Sequence, residues 1–300
     1  MANMWEVDRT LDLNTVRTVV RSQFREFASV EPIFLTTGWD HDVYRFGDVV
    51  FRFPRRAQVV PRLQAEVSLL KDIGGLLPVR VPQYSHFGHP CAEFPHPFFG
   101  CMLVDGEPCP DDASPASHVT STLQAFIEAL HGIPCDRAHN HGVLRGSHAC
   151  DPSTFHTLAS EALGHALAAI PERFQDKVLG HVSRPEPAPA ASSMHSLLHN
   201  DLRPEHILVS SCCVPAMGII DWTDAILGDP ALDYLWIWLC WGDALLIEVF
   251  PQLGEEQSRA LLDRIRYMGL CKAIVEISYG LQTKTPEKIA IGLRAIASAP

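Results

Sequence analysis

The chain has 300 residues, 47 % hydrophobic and 20 % charged, the balance of a soluble globular protein long enough for two lobes. A net charge of −11 weighs against binding through nucleic-acid phosphates and leaves room for a cationic partner. Nine scattered cysteines, with no Cys-x-x-Cys pair and only Cys212-Cys213 adjacent, read as reduced thiols of a cytoplasmic protein. The first residues, Met1 to Asp8, lack the basic and apolar segments of a signal peptide. The most apolar stretch, 231–250, carries Asp233, Asp243 and Glu248, so it reads as a buried helix and no membrane span is expected.

Helical spacing of Leu11, Leu13, Val16, Val19, Val20 and Phe24 predicts a helix over 10–30. The period then changes. Runs at 33–35, 43–46 and 49–53, separated by Gly38 and the Gly47-Asp48 turn, predict a small antiparallel sheet. A helix over 59–73 stops at Gly74-Gly75, and strands follow near 83–87 and 98–104. Beyond Pro110 the pattern is helical, over 116–131, 153–167 and 171–181, with a proline-rich loop at 184–193. Short apolar strands at 197–198, 207–209 and 218–220 surround a polar motif, and helices over 231–250, 255–279 and 286–297 complete the chain. The expected architecture is α+β: a mainly antiparallel β lobe over 1–103 and a mainly helical lobe over 104–300. A ligand cleft is expected between them.

The polar motif is His199-Asn200-Asp201-Leu202-Arg203-Pro204-Glu205-His206, followed by Ile220-Asp221-Trp222. Phosphoryl transfer from a nucleoside triphosphate needs a carboxylate for the attacking hydroxyl and a second for magnesium. It also needs a cation on the phosphates, itself fixed by a carboxylate. Asp201, in a polar loop between apolar strands, suits the first role. Asp221 ends an apolar strand 20 residues later, and a hairpin-like strand pair would bring both carboxylates to one edge. A hard magnesium ion prefers such oxygen ligands.

His199 to Leu208 resembles the His-Gly-Asp-Leu-His-Pro-Gly-Asn-Ile-Leu motif of the aminoglycoside phosphotransferases, a branch of the protein-kinase-like fold. Ile219 to Trp222, then Gly228-Asp229-Pro230 and Asp233, are similar to that family's metal segment and its Asp-Pro-x-x-Asp. Gly38-Trp39-Asp40, Phe98-Phe99-Gly100, Gly106-Glu107-Pro108 and Leu130 to Pro134 extend the likeness over roughly 30–245 in the family's order.

The resemblance implies a two-lobed kinase that moves the γ-phosphate of ATP or GTP, with Mg2+, to a hydroxyl of a small molecule. An aminoglycoside-like antibiotic or a related metabolite is the expected acceptor, which would make the protein an antibiotic-resistance enzyme. Asp201 would be the base or orienter and Asp221 the main metal ligand. His206 stands where the second metal ligand is usually Asn, a place it also takes in the 2″-aminoglycoside and macrolide branches; the other reading is a hydrogen bond within the loop. Arg52 replaces the phosphate-gripping lysine, with Glu66 as its partner 14 residues on; an exposed salt bridge is the alternative, and Arg55 and Arg56 compete for the place. Gly38 would sit in the nucleotide loop. Met102, Leu103 and Val104 would lie along the base, with Ile220 beneath it.

Asp224, Asp229, Asp233, Asp243, Glu248 and Glu276 are acidic candidates for a cationic acceptor, with Asp224 and Glu276 retained as substrate residues and Asp229 and Asp233 more simply holding the motif loop. Trp236, Trp238 and Trp241 read as core. Two other readings stay open: a catalytically weak or inactive nucleotide- or ligand-binding module, and a metal hydrolase built on His195, His199, Asp201 and His206. A monomer or weak dimer is expected.

Overall fold

The computed structural model describes residues 11–146, 150–211 and 217–300. Met1 to Asp8 and the Cys212-Cys213 pair lie outside them. The chain packs as two units, one formed by 11–76 with 80–105, the other by 77–79 with 106–300.

In the first unit α1 (Leu13–Gln23) starts at Asp12, whose side chain accepts a hydrogen bond from the amide of Thr15 at 2.8 Å. The helix is shorter than the spacing predicts. Phe24 leaves helical geometry at φ −132°, and a 3-10 turn over Arg25–Phe27 follows. The reason is packing: Phe24 and Phe27 insert among sheet aromatics, their rings 5.6 and 5.4 Å from Phe51.

The sheet runs β1 (Ile33–Thr37), β2 (His41–Phe46), β3 (Val49–Pro54), β5 (Phe98–Met102) and β4 (Tyr84–Gly88) in spatial order, every neighbouring pair antiparallel. Gly47, at φ 60°, makes the β2–β3 turn that its left-handed backbone allows. Strand alternation sorts β3. Val49, Phe51 and Phe53 enter the aromatic core with Val16, Val19 and Val20 of α1. Arg52 takes the other face, toward α2 (Val60–Ile73), which buries Leu63 and Val67 against Phe99.

The second unit opens with β6 (Glu107–Pro108), then α3 (Ser117–His131), α4 (Cys135–His139), α5 (Pro152–Ala166) and α6 (Glu172–Ser183). Next come β7 (Ser196–Leu198), β8 (Ile207–Val209), β9 (Met217–Ile219) and β10 (Ile226–Gly228), forming two small sheets, β6-β8-β9 and β10-β7. The short elements α4, β6 and β10, of two to five residues, were not predicted from the sequence.

Three helices close the unit: α7 (Ala231–Val249), α8 (Glu255–Thr283) and α9 (Pro286–Ser298). The apolar stretch expected to be a buried helix is α7, with Tyr234, Ile237, Trp238 and Leu246 at or near zero exposure. It breaks at Gly242, φ 71°, and Asp243 then accepts from Trp238 Nε1 at 2.8 Å. Among the described residues no helix is long and apolar enough to cross a membrane.

Candidate active site

The polar motif leaves β7 and reaches β8 through a 3-10 turn over Pro204–His206. Antiparallel pairing of Ile207 with Ile219 continues past the strands, where the amide of Ile220 donates to the carbonyl of His206 at 3.0 Å. This hairpin delivers Asp221 to the motif. His206 Nε2 lies 3.6 Å from Asp221 Oδ2, and His206 Nδ1 lies 3.5 Å from Asp201 Oδ2. One imidazole therefore touches both carboxylates singled out from the sequence.

His206 Nδ1 donates to the carbonyl of Asp201 at 2.8 Å. In the neutral ring that leaves Nε2 with a bare lone pair facing a carboxylate oxygen, two electron donors that cannot bond to each other. The expected hydrogen bond within the loop and the expected ligand atom are thus carried by opposite nitrogens of one side chain.

Arg203 was not singled out from the sequence as a site residue. Its Nε donates to Asp201 Oδ1 at 2.8 Å, Nη1 reaches Glu205 at 3.2 Å, and its guanidinium carbon lies 4.4 Å above the Trp236 ring. Burial works against its charge, but Asp201 and Glu205 outweigh that and raise its pKa. The available signal was its position, two residues past Asp201, where a side chain in a tight loop turns back on the carboxylate.

Beneath the loop sits Asp233, fully buried at the start of α7. Its Oδ1 accepts the amide of Asn200 at 2.7 Å; its Oδ2 accepts the amide of His199 at 3.2 Å and bonds His131 Nε2 at 2.9 Å. His199 is buried too. Its Nε2 donates to the carbonyl of Ile220 at 3.0 Å and its Nδ1 accepts the amide of Asp201 at 3.4 Å. Burial lowers its pKa despite the neighbouring Asp233, which keeps it neutral, and the two ring hydrogen bonds set the tautomer. Asn200 and Asp221 adopt left-handed backbone, at φ 66° and 62°. Each costs about 1 kcal/mol, and Asn and Asp are the non-glycine residues that best tolerate it.

Among the described residues no group of three or more His, Cys, Asp or Glu side chains is arranged to hold a metal ion. The hydrolase reading built on four such residues therefore finds no cage. Asp221 and His206 fit a different role, as the one or two protein ligands that magnesium takes when phosphates and water complete its shell. Asp221 is the better donor; its side chain is 45 % exposed, and the imidazole is the softer partner.

In the sheet unit, Arg52 Nη1 meets Glu66 Oε1 at 2.6 Å and Tyr84 Oη at 3.3 Å, while Nη2 lies 3.2 Å from His41 Nδ1. Tyr84 donates to the same Glu66 oxygen at 2.7 Å. The side chains of Arg52 and Glu66 are 10 % and 0 % exposed, which rules out the surface salt bridge. Burial, then Glu66, pushes the Tyr84 hydroxyl well above its ordinary value. Arg55 and Arg56 are placed elsewhere: Arg55 donates to the carbonyl of Gly38 at 2.7 Å, and Arg56 pairs with Asp40.

Gly38 itself bonds the carbonyl of His41 through its amide at 2.9 Å, and a Cβ there would meet only that carbonyl, at 3.6 Å. Met102 ends β5 exposed, and the amide of Leu103 bonds the carbonyl of Asp48 at 2.8 Å, leading into Val104.

The acceptor candidates fare unequally. Asp224 is exposed, with its carbonyl accepting from Asn200 Nδ2 at 3.2 Å. Glu276 is buried between Lys272 at 3.0 Å and Lys288 at 2.9 Å, so both of its oxygens are committed within the fold. Trp236, Trp238 and Trp241 are core, as expected.

The profile described as "Phosphotransferase enzyme family" matches residues 33–268. The protein YcbJ of Bacillus subtilis (strain 168), described as uncharacterized, is 24 % identical over 269 residues, 82 % of each chain. The fold matches the GDP complex of wild-type aminoglycoside 2'-phosphotransferase-IIIa with a TM-score of 0.72 at 24 % identity, covering 96 % of this chain and 98 % of that one. It also matches the macrolide 2'-phosphotransferase MphH from Brachybacterium faecium with a TM-score of 0.59 at 19 % identity, covering 95 % and 98 %. The fold is thus the α+β, two-lobed, protein-kinase-like one, and the chain belongs to the phosphotransferase enzyme family.

Proposed function

We propose that the protein transfers the γ-phosphate of ATP or GTP to a hydroxyl of a small molecule, an aminoglycoside-like antibiotic or a related metabolite. The observation that carries this reading is the contact of His206 with both Asp201 and Asp221, at 3.5 and 3.6 Å. Neighbouring folds that bind GDP, and in one case GDP with kanamycin, support a nucleotide donor and a hydroxylated acceptor.

In this reading residues 1–103 form the nucleotide-binding lobe. Glu66 fixes Arg52, which neutralises phosphate oxygens, and the backbone at Gly38, where the fold itself does not demand a glycine, approaches the phosphates. Met102, Leu103 and Val104 offer backbone groups to the base, and Ile220 packs on it. Residues 104–300 carry the catalytic loop and the acceptor site, with Asp224 beside it. Asp201 Oδ1 is turned by Arg203, leaving Oδ2 to take the proton of the acceptor hydroxyl as that oxygen bonds to phosphorus. The bond from phosphorus to the diphosphate oxygen breaks, and the nucleoside diphosphate leaves with its electron pair. Asp221 and His206 would hold Mg2+, which neutralises phosphate charge when bound. The protein would work in the cytoplasm as a monomer or weak dimer.

The deep pairing of Arg52 supports a second reading, a ligand-binding module with weak or no turnover. One experiment separates the two. Asp201→Asn should lower transfer, read by mass on an acceptor panel with both nucleotides, by about 10²- to 10⁴-fold, with the melting temperature unchanged. Equal turnover in the variant would remove Asp201 from its role. Absence of transfer in the parent protein, with metal-dependent stabilisation by nucleotide also missing, would overturn the enzyme reading.

A further inference from the structure

Arg52, the cation proposed for the nucleotide phosphates, is buried and bonded at both terminal nitrogens. The two ends are not held alike. Nη1 turns to α2 and β4, where it donates to Glu66 Oε1 at 2.6 Å and lies 3.3 Å from the Tyr84 hydroxyl. The same carboxylate oxygen accepts the Tyr84 hydroxyl at 2.7 Å, so this end is fixed from two elements. Breaking a buried ion pair is strongly destabilising.

Nη2 turns instead to His41, the buried first residue of β2. Arginine only donates, so His41 Nδ1 is the acceptor at 3.2 Å and must carry its lone pair. The same histidine ties down the β1–β2 turn, because its carbonyl accepts the amide of Gly38 at 2.9 Å. Arg55 holds that turn as well, donating to the Gly38 carbonyl at 2.7 Å. The nitrogen of Arg52 on the side of the Gly38 turn is therefore the one bonded to an uncharged acceptor. A phosphate oxygen carries a charge that this imidazole nitrogen lacks, and it is the stronger acceptor for a guanidinium.

We infer that His41 competes with the nucleotide for Arg52: a phosphate oxygen takes the Nη2 hydrogen bond from His41 Nδ1, while Glu66 keeps Nη1. His41 is then a positioning residue, acting through Arg52, that sets nucleotide affinity. This rests on the reading of Arg52 as the phosphate cation and deepens it, since it gives so deeply paired an arginine a way to meet its ligand. The bond to His41 opposes nucleotide binding, because a ligand gains only the difference between what it makes and what it displaces. Removing the acceptor should therefore lower stability and tighten nucleotide binding together. A merely structural histidine would lower stability without raising affinity.

The test is calorimetric titration with ATP and GTP, each with magnesium, of the parent protein, His41→Phe and His41→Asn. Phenylalanine keeps a ring without the acceptor, and should melt lower while binding nucleotide about tenfold more tightly, the scale of one hydrogen bond to a charged group. Asparagine keeps an acceptor oxygen near the place of Nδ1, and should restore the parent's affinity. Should His41→Phe fail to fold, nitrogen NMR of the parent's histidine rings decides. The Nδ1 signal of His41, assigned by its absence from His41→Asn, should lose its hydrogen-bond shift when nucleotide is added. Unchanged or weaker binding by His41→Phe, an Nδ1 signal indifferent to nucleotide, or no nucleotide binding by the parent would overturn the inference. Phosphate transfer is read separately. Competition by His41 without transfer to any acceptor counts against phosphotransfer alone, whereas transfer with an affinity indifferent to His41→Phe counts against the competition alone.

Discussion

Arg52 with Glu66 in the sheet unit, and Asp201 with Arg203 in the helical unit, are both ion pairs between a guanidinium and a carboxylate, at 2.6 and 2.8 Å. The first is shut inside the fold and shares its carboxylate with Tyr84. The second is more open, lies on an indole face, and rests on a loop whose amides are tied down from below by Asp233. A buried pair fixes geometry at a high desolvation cost, and removing one member leaves an uncompensated charge. An open pair costs less and leaves an oxygen available for chemistry. The sheet unit thus spends its pair on rigidity, and the helical unit obtains rigidity from the backbone instead.

That contrast can be broken at the Asp233 anchor, where the largest effect is expected. Asp233→Ala strands one buried and one part-buried loop amide together with His131, and should destabilise the protein by about 3–5 kcal/mol. Denaturant unfolding would measure it, and a loss below about 1 kcal/mol would show that the loop is held by other means. The sheet unit supplies the second test. Arg52→Met alone should cost about 3 kcal/mol, slightly relieved because Glu66 keeps the Tyr84 hydrogen bond. Arg52→Met/Glu66→Leu should recover most of that in a double-mutant cycle, and strictly additive losses would remove the coupling.

The smallest effect concerns His181 of α6, which bonds the carbonyl of Tyr267 at 3.1 Å. Burial, then Arg184, pushes its pKa from 6.5 down to about 4. Below the unfolded value the unfolded chain takes up a proton that the folded chain refuses. Stability present above pH 6.5 is therefore lost as the pH falls toward 4, by about 1–2 kcal/mol at pH 5. His181→Gln should flatten that slope; an unchanged profile would assign the acid sensitivity to other groups.

Much of this arrangement was legible in the sequence because it follows local rules. Alternation along Val49 to Phe53 separates Arg52 from the aromatic face, whereas its pairing with Glu66, 14 residues on, was implied by the family resemblance and not by any local rule. Short apolar strands on either side of a polar loop predict the hairpin that joins His206 to Asp221. What could not be read depends on distant chain segments. Tyr84 joins Arg52 and Glu66 from a strand 32 residues past Arg52. Glu276 looks like any acidic helix residue until α9 brings Lys288 against it. The length of α1 was overestimated because its spacing continues through Phe24, although that ring belongs to the sheet core.

The left-handed residues Asn200 and Asp221 carry a lesson for anyone hardening this protein against heat. Glycine would relax the backbone at either place. At Asn200 the exchange surrenders only an amide contact to the carbonyl of Asp224, so endurance and turnover can rise together. At Asp221 the same exchange deletes the carboxylate proposed for the metal, and robustness would be gained by discarding the enzyme.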